Sequence, residues 1–489
     1  MFLPMVKNTS LEDPVPIGTR REFFWDDFLI DAARTTATRR LHRPEPREVV
    51  IVHDQPWEGN GCNFHCILED DGLYRLYYLG WEMLDPEATV HTTNAIVLAY
   101  AESTDGLHWT KPSLGLCDHQ GSTANNILVT GMLDAFSVFK DSNPDCPPEE
   151  RYKGVGMAGD RHLWCFTSPD GLRFRKAWPM SGLGTFDTLN IALWDRHTRR
   201  YLCYLRDYHE PTGEDCPPGR INWSTGIRDI RWMESVDFKT WSVPRRLDFG
   251  GAPDYPLYSN VVQPYYRGDH MLVGFPSRYV ERKTWTPNYD RLPGADLRRK
   301  LVKINPRYGL TVTDCVFMSS RDGQVWNRTD EAFMTPGPER QRNWVYGDCF
   351  PAVGLIETPG HPDGAPAELS LYVYENHWAR HPAELRRYTL RVDGFVSRNA
   401  TYEPQRVVTR PFVYSGRALT VNFATSAAGY LRIRLCSNGK TLTSHDLFGD
   451  SLDARVAFKD GEVASLAGTP VTMDIEMSDA DIYSFAFEA

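Results

Sequence analysis

Ser103-Thr104-Asp105-Gly106-Leu107-His108-Trp109 ends an apolar alternating run, and the phrase returns three more times along the 489-residue chain. It recurs as Ser168-Pro-Asp170-Gly171-Leu-Arg-Phe174, Ser235-Val-Asp237-Phe238-Lys-Thr-Trp241 and Ser320-Arg-Asp322-Gly323-Gln-Val-Trp326. The third copy exchanges Gly for Phe238 but keeps Ser, Asp and the aromatic in step. Asp393-Gly394-Phe395, after the run Arg387-Tyr-Thr-Leu-Arg391, is a degenerate fifth. Intervals of roughly 65 to 85 residues are too long for a short-period solenoid and suit blades of a β-propeller with long loops. Ser and Asp bond nearby backbone N–H groups, Asp-Gly makes a tight hairpin turn, and the aromatic packs back on the sheet. The phrase is therefore architecture.

Working outward, each blade reads as an inner strand, a turn, a second strand rich in Tyr and Leu, and outer strands. In the first, residues 64–68 and 74–78 flank Glu69-Asp70-Asp71-Gly72. The pattern repeats at 135–139 and 151–155, at 189–194 and 201–205, at 260–265 and 270–275, and at 350–356 and 369–374. An opening strand at 22–30 is expected to close the ring or lie against a second domain. After residue 400, alternating runs at 418–423, 430–435, 471–477 and 482–487 have the rhythm of an antiparallel sandwich. The expected class is all-β, a five-bladed β-propeller over 1–400 followed by a β-sandwich over 401–489. Helical periodicity is not expected.

A formal net charge of −10 argues against a nucleic-acid partner, and no run has the apolar length of a membrane span. The start, residues 1–8, lacks a leader pattern, so a cytoplasmic location is expected. The ten cysteines show neither disulfide rhythm nor zinc spacing. Cys62 and Cys66, flanking His65, read as buried thiols. No metal and no cofactor is expected, and a homo-oligomer is compatible with the sequence.

Propeller geometry brings inner-strand starts and second-strand ends to one mouth. At the starts stand Glu58 and Asn63, Asp134, Asp187 with Asn190, Tyr258 with Asn260, and Trp344 with Asp348. At the ends stand Trp81 and Glu82, Arg206, Arg278, and Glu375 with His377 and Trp378. Carboxylates, arginines and aromatics at a propeller mouth point to a polar ligand, and paired carboxylates point to glycoside hydrolysis. Asp187 is the expected nucleophile or base. Glu375 is the expected acid, its pKa raised by desolvation, with Asp348 a third catalytic candidate. Glu82, Trp81, Glu58, Asp134, Asn190, Arg206, Tyr258, Arg278, Trp344 and His377 are the expected substrate-binding set, and a carbohydrate is the expected partner.

In 24–30, 100–109, 186–190 and 387–395 the chain resembles the five-bladed propeller glycosidases of glycoside hydrolase families 32 and 43. The resemblance implies cleavage of a glycosidic bond, of a furanoside among other sugars. Where invertase-type members carry Trp-Met-Asn-Asp-Pro-Asn-Gly, this chain has Gly61-Cys62-Asn63-Phe64, so catalytic residues do not carry over by motif. Two other readings stay open: a non-catalytic sugar-binding propeller, and a sialidase-like hydrolase, which requires six blades.

Overall fold

A computed structural model of the chain describes residues 13–82, 96–131, 134–217, 221, 225–341, 343–377 and 382–489. Residues 1–8, in which a leader was sought, and Trp378 lie outside them. Four four-stranded antiparallel sheets follow in sequence. Their inner strands are Asn63–Asp70, Asp134–Lys140, Ile191–Asp195 and Gln263–Tyr265. The fifth blade is built of Phe350–Pro351 and Ile356–Thr358, Glu368–Glu375 and Glu384–Arg391. Its outermost strand, Glu45–Val52, comes from the front of the chain and pairs Glu45 with Thr389 and Val52 with Glu384. That strand closes the ring, not the stretch 22–30. There are five blades, one fewer than a sialidase-like ring requires.

The repeated phrase does what its chemistry dictates. In the first copy the Ser103 hydroxyl accepts from Gly106 N at 2.9 Å, Asp105 Oδ1 accepts from Leu107 N and His108 N, both at 2.8 Å, and the Trp109 indole donates to Gly106 O at 3.0 Å. The copies at Ser235 and Ser320 repeat these bonds, with Trp241 and Trp326 donating to the carbonyls of Phe238 and Gly323.

The turns also join neighbouring blades. Tyr372 of the fifth blade donates to Gly106 O at 2.8 Å, Arg75 of the first to Asp170 O at 2.8 Å, Trp178 of the second to Phe238 O at 3.0 Å, and Tyr204 of the third to Gly323 O at 3.0 Å. At the degenerate fifth turn Tyr265 of the fourth blade donates to Asp393 Oδ1 at 2.7 Å.

Phe238 is the informative exception. Tyr77 and Tyr204 each stand three residues beyond the residue paired with their blade's turn Ser; in the second blade that place belongs to Val155, since Tyr152 pairs with Ser168. Val155 leaves room, and the Phe238 ring fills the same apolar cluster. Its φ of +63° costs about 1 kcal/mol, which burial of the ring offsets.

The axis is filled by one aromatic-rich core, into which Trp25 is fully buried, stacked on Phe23 at 4.1 Å and donating to Asp393 O at 3.0 Å. Strand pairing departs from a boundary at residue 400. Strands Glu22–Phe23 and Thr38–Leu41 pair with the sheet that begins at Val396, and Val15–Gly18 pairs in parallel with Phe412–Tyr414, so the front of the chain belongs with the trailing unit. There, the long strands Ala418–Ser437 and Thr472–Glu488 pair along both halves with a break near 425–430. Leu419, Val421 and Phe423 of one half share a core with Leu431, Ile433 and Leu435 of the other. The all-β expectation misses one feature: helices Pro287–Arg291, Ala295–Ile304 and Pro306–Leu310, set between strands Ser277–Glu281 and Thr311–Cys315 of the fourth blade.

A Cβ on Gly323, where φ is +76°, would lie 2.6 Å from Tyr204 Oη. Gly323→Ala is therefore expected to destabilise by roughly 2 kcal/mol or more from left-handed strain plus the clash. In a Tyr204→Phe background, where the clashing oxygen is gone, the same substitution should cost measurably less. Denaturant titration of the four proteins checks this, and equal costs in both backgrounds would refute the steric account.

Candidate functional site

A cavity of about 150 Å³ opens at the end where the inner strands start, and all five blades line it. Asn63 and Trp81 come from the first blade, Asp134 from the second, Asp187, Arg206 and Arg228 from the third, Tyr258, Tyr279 and Arg307 from the fourth, Tyr346 and His377 from the fifth. The inference that strand starts and second-strand ends converge thus holds for Asp134, Asp187, Trp81, Arg206, Tyr258 and His377.

Four of the five inner strands begin with a backbone device invisible in composition. Phe64, Ala135, Val261 and Cys349 all have positive φ, from +45° to +58°. Each puts its own side chain into the axial core and follows a polar residue: Asn63, Asp134, Asn260 and Asp348. Strained bulges of this kind re-aim side chains, and at about 1–2 kcal/mol each they persist only where packing enforces them. Asn63 and Asp134 face the cavity as a result.

The two cavity carboxylates have opposite surroundings. Asp187 is 48% exposed and ion-paired through Oδ1 to Arg206 Nη2. Arg206 is itself buried, held by Thr185 O at 3.1 Å, with its guanidinium over the rings of Tyr208 and Tyr258. Asn190 shapes this corner without reaching the cavity: its Nδ2 donates to Phe186 O and Thr188 O, and its Oδ1 accepts from Arg206 N. Asp134 forms no ion pair with a described residue; burial pushes its carboxyl up, with Arg206 pulling the other way. His377, also buried, is pushed down to about 3 and is neutral near pH 7.

The other expected residues lie outside the cavity wall. Glu375 is a correction: burial works to raise its pKa, but Arg340 at 2.8 Å and Arg386 at 3.0 Å outweigh it and hold the carboxyl below its ordinary value. A group so paired is a poor proton donor. Asp348 is buried, accepts from Val345 N at 2.9 Å, and is pushed by burial up to about 7. Arg278 grips Asp314 through two bonds of 2.9 and 2.6 Å. Glu58 is buried among Tyr78, Lys111 and His53; burial would raise it, but His53 and Lys111 bring it down to about 2. Glu82 accepts from Asn60 at 2.6 Å, and Trp344 donates to Gly337 O at 2.9 Å.

Sequence reasoning missed Arg228, Tyr279, Arg307, Tyr308 and Tyr346. Arg307 and Tyr308 ride on the helical insert, whose signal is the spacing Leu297, Leu301, Ile304, Tyr308; all four pack on one apolar cluster. Tyr258 stacks between Tyr279 and Phe350, with centroids at 5.8 and 5.3 Å. Against this aromatic wall, three buried polar atoms have no partner among the described residues: Asn63 Oδ1, Trp81 Nε1 and Arg228 Nε. The ten cysteines are all free, and among the described residues no group of three or more His, Cys, Asp or Glu is placed to hold a metal ion.

The fold is a five-bladed propeller whose mouth is lined from all five blades. Solved structures of similar fold include the catalytic domain of a Coprinopsis cinerea family GH62 α-L-arabinofuranosidase, with TM-score 0.39, 11% identity, and coverage of 71% of this chain and 97% of that one. The Bombyx mori family GH32 β-fructofuranosidase has TM-score 0.40 and 9% identity, over 92% and 94% of the two chains. At these identities they say nothing of substrate or site. No family model matches the chain. Two uncharacterized Mycobacterium tuberculosis proteins are each 26% identical over 157 residues, 30% of this chain and 47% of theirs. The chain thus spans about half the length of the curated relatives it matches.

Asp348 supplies a stability test. Its folded pKa of about 7 lies above the ordinary 3.8, so the folded state holds a proton that the unfolded state has lost. Stability should therefore fall as pH rises from about 4 to 7 and level off above, by up to about 4 kcal/mol. Asp348→Asn should remove that loss, gaining on the parent at pH 8 but not at pH 4, as read by denaturant titration at both values.

Proposed function

We propose that the protein is a glycoside hydrolase working from the propeller mouth, with Asp187 as nucleophile or base and Asp134 as general acid. The observation that carries this reading is the pairing of two unlike carboxylates in one cavity. One is ion-paired and half open to solvent; the other is pushed by burial toward its protonated form. Glycosidases need this division of labour, one group protonating the leaving oxygen while the other attacks the anomeric carbon or activates water. The walls suit a sugar, because Tyr258, Tyr279 and Tyr346 offer ring surface to C–H faces, while Asn63 and Trp81 hold an acceptor and a donor without partners among the described residues.

Arg206 has two effects in this scheme. Paired to Asp187, it fixes the carboxylate's position; near Asp134, it opposes the burial that pushes that carboxyl up. His377 serves as a neutral hydrogen-bonding wall. The sugar and the linkage are part of the proposal only at the level of an O-glycoside.

The two roles separate experimentally by leaving group. Asp187→Asn should lower kcat by about a thousandfold or more on every glycoside the parent cleaves. Asp134→Asn should lose as much on alkyl glycosides yet retain most of its rate on aryl glycosides with acidic phenols, which need no protonation, and the alkaline limb of its pH profile should disappear. Steady-state kinetics on both substrate types check this. Parent-level activity in both variants would sink the assignment, and a parent that cleaves neither type would favour the binding-only reading.

A further inference from the structure

Arg228 has no carboxylate partner among the described residues. It lines the cavity, is 8% exposed, and its Nε–H finds no acceptor among those residues. The surrounding arginines differ: Arg206 pairs with Asp187, and Arg231, three residues on, pairs with Asp207, Asp215 and Asp229. Around the Arg228 guanidinium are ring faces instead, Tyr279 at 4.0 Å, Tyr208 at 5.5 Å and Tyr258 at 5.9 Å. Such faces attract a cation but accept none of its in-plane hydrogen bonds. A guanidinium held this way is oriented, stripped of most of its water and left with unused donors. Two further arginines line the same cavity, Arg206 and Arg307, so three arginines stand against the two aspartates Asp134 and Asp187. The cavity therefore carries surplus positive charge, although the chain as a whole carries −10.

We propose that the sugar taken by this cavity bears an anionic oxygen group, received by Arg228 through a planar fork of hydrogen bonds. A carboxylate, as in a uronic acid, matches the fork in shape; a sulfate or phosphate ester offers the same chemistry from another source. The inference rests on the sugar-binding part of the function proposed above but not on hydrolysis. Arg228 is a specificity residue in it, with no part in bond cleavage.

Binding of methyl glycosides by calorimetry tests it on the full chain. The panel pairs glucose with glucuronic acid and galactose with galacturonic acid, and adds the 6-sulfate and 6-phosphate of each neutral sugar. At least one anionic form should bind tenfold or more tighter than its neutral parent, and which form does so names the group. That preference should shrink at least fivefold between 50 and 500 mM NaCl, vanish in Arg228→Met and persist in part in Arg228→Lys, with near-ultraviolet circular dichroism showing both variants folded. Neutral parents binding as tightly as every anionic form in the unmodified protein would overturn the proposal, whatever the variants do. Preferred binding of an anionic glycoside without cleavage would remove the catalytic reading alone. Cleavage of neutral glycosides with no anionic preference would remove this inference alone.

Discussion

The hydrogen bond from one blade to the turn of the next is what makes five separate sheets a ring. Each sheet satisfies its own backbone by pairing, so nothing in strand formation alone sets the angle between blades. The turn supplies it. A Ser and an Asp consume the turn's N–H groups and leave an outward carbonyl, and a Tyr, Trp or Arg from the preceding blade donates to it at four of the five junctions. At the fifth junction Tyr265 reaches the Asp393 carboxylate instead. Each bond contributes only about 1 kcal/mol net, yet each is directional and mostly buried, so loss of one leaves a polar group stranded. The cavity inherits its shape from this radial spacing.

The fold was legible because its cause is local and repeated. Ser, Asp, Gly and an aromatic at set offsets build the same turn wherever they occur, and Tyr-rich second strands mark the blades between. Convergence of Asp134, Asp187, Trp81, Arg206, Tyr258 and His377 followed from topology alone. What failed was everything that depends on long-range partners. Nothing near Glu375 in sequence announces Arg340, and nothing near Arg278 announces Asp314. The exchange of Phe238 for Gly makes sense only beside Val155, a blade away. The helical insert was missed for a different reason: its apolar period was present at 297–308, but it interrupts a blade whose strands dominated the reading.

Electrostatics and strain divide the cavity's work. Left-handed Phe64 and Ala135 at two strand starts turn Asn63 and Asp134 to the cavity, and the surrounding packing absorbs the cost. Burial then acts unequally on what has been aimed. It pushes Asp134 up and His377 down, while ion pairs counter it at Glu375 and at Glu58. Carboxylates of one chemical type thereby become a candidate proton donor, a candidate nucleophile and two structural anchors.

The strand Glu45–Val52 completes the last blade from the first part of the chain. During synthesis it leaves the ribosome early and must wait, with both edges unpaired, until residues 384–391 emerge. Four blades can stack meanwhile, but the circle stays open, and with it the mouth. Long-range pairing of this kind is slow to form and leaves a vulnerable edge in the interval. The basic and charged side chains of Glu45, Arg47 and Glu48 on that strand are the sort that keep a waiting edge from pairing with the wrong chain.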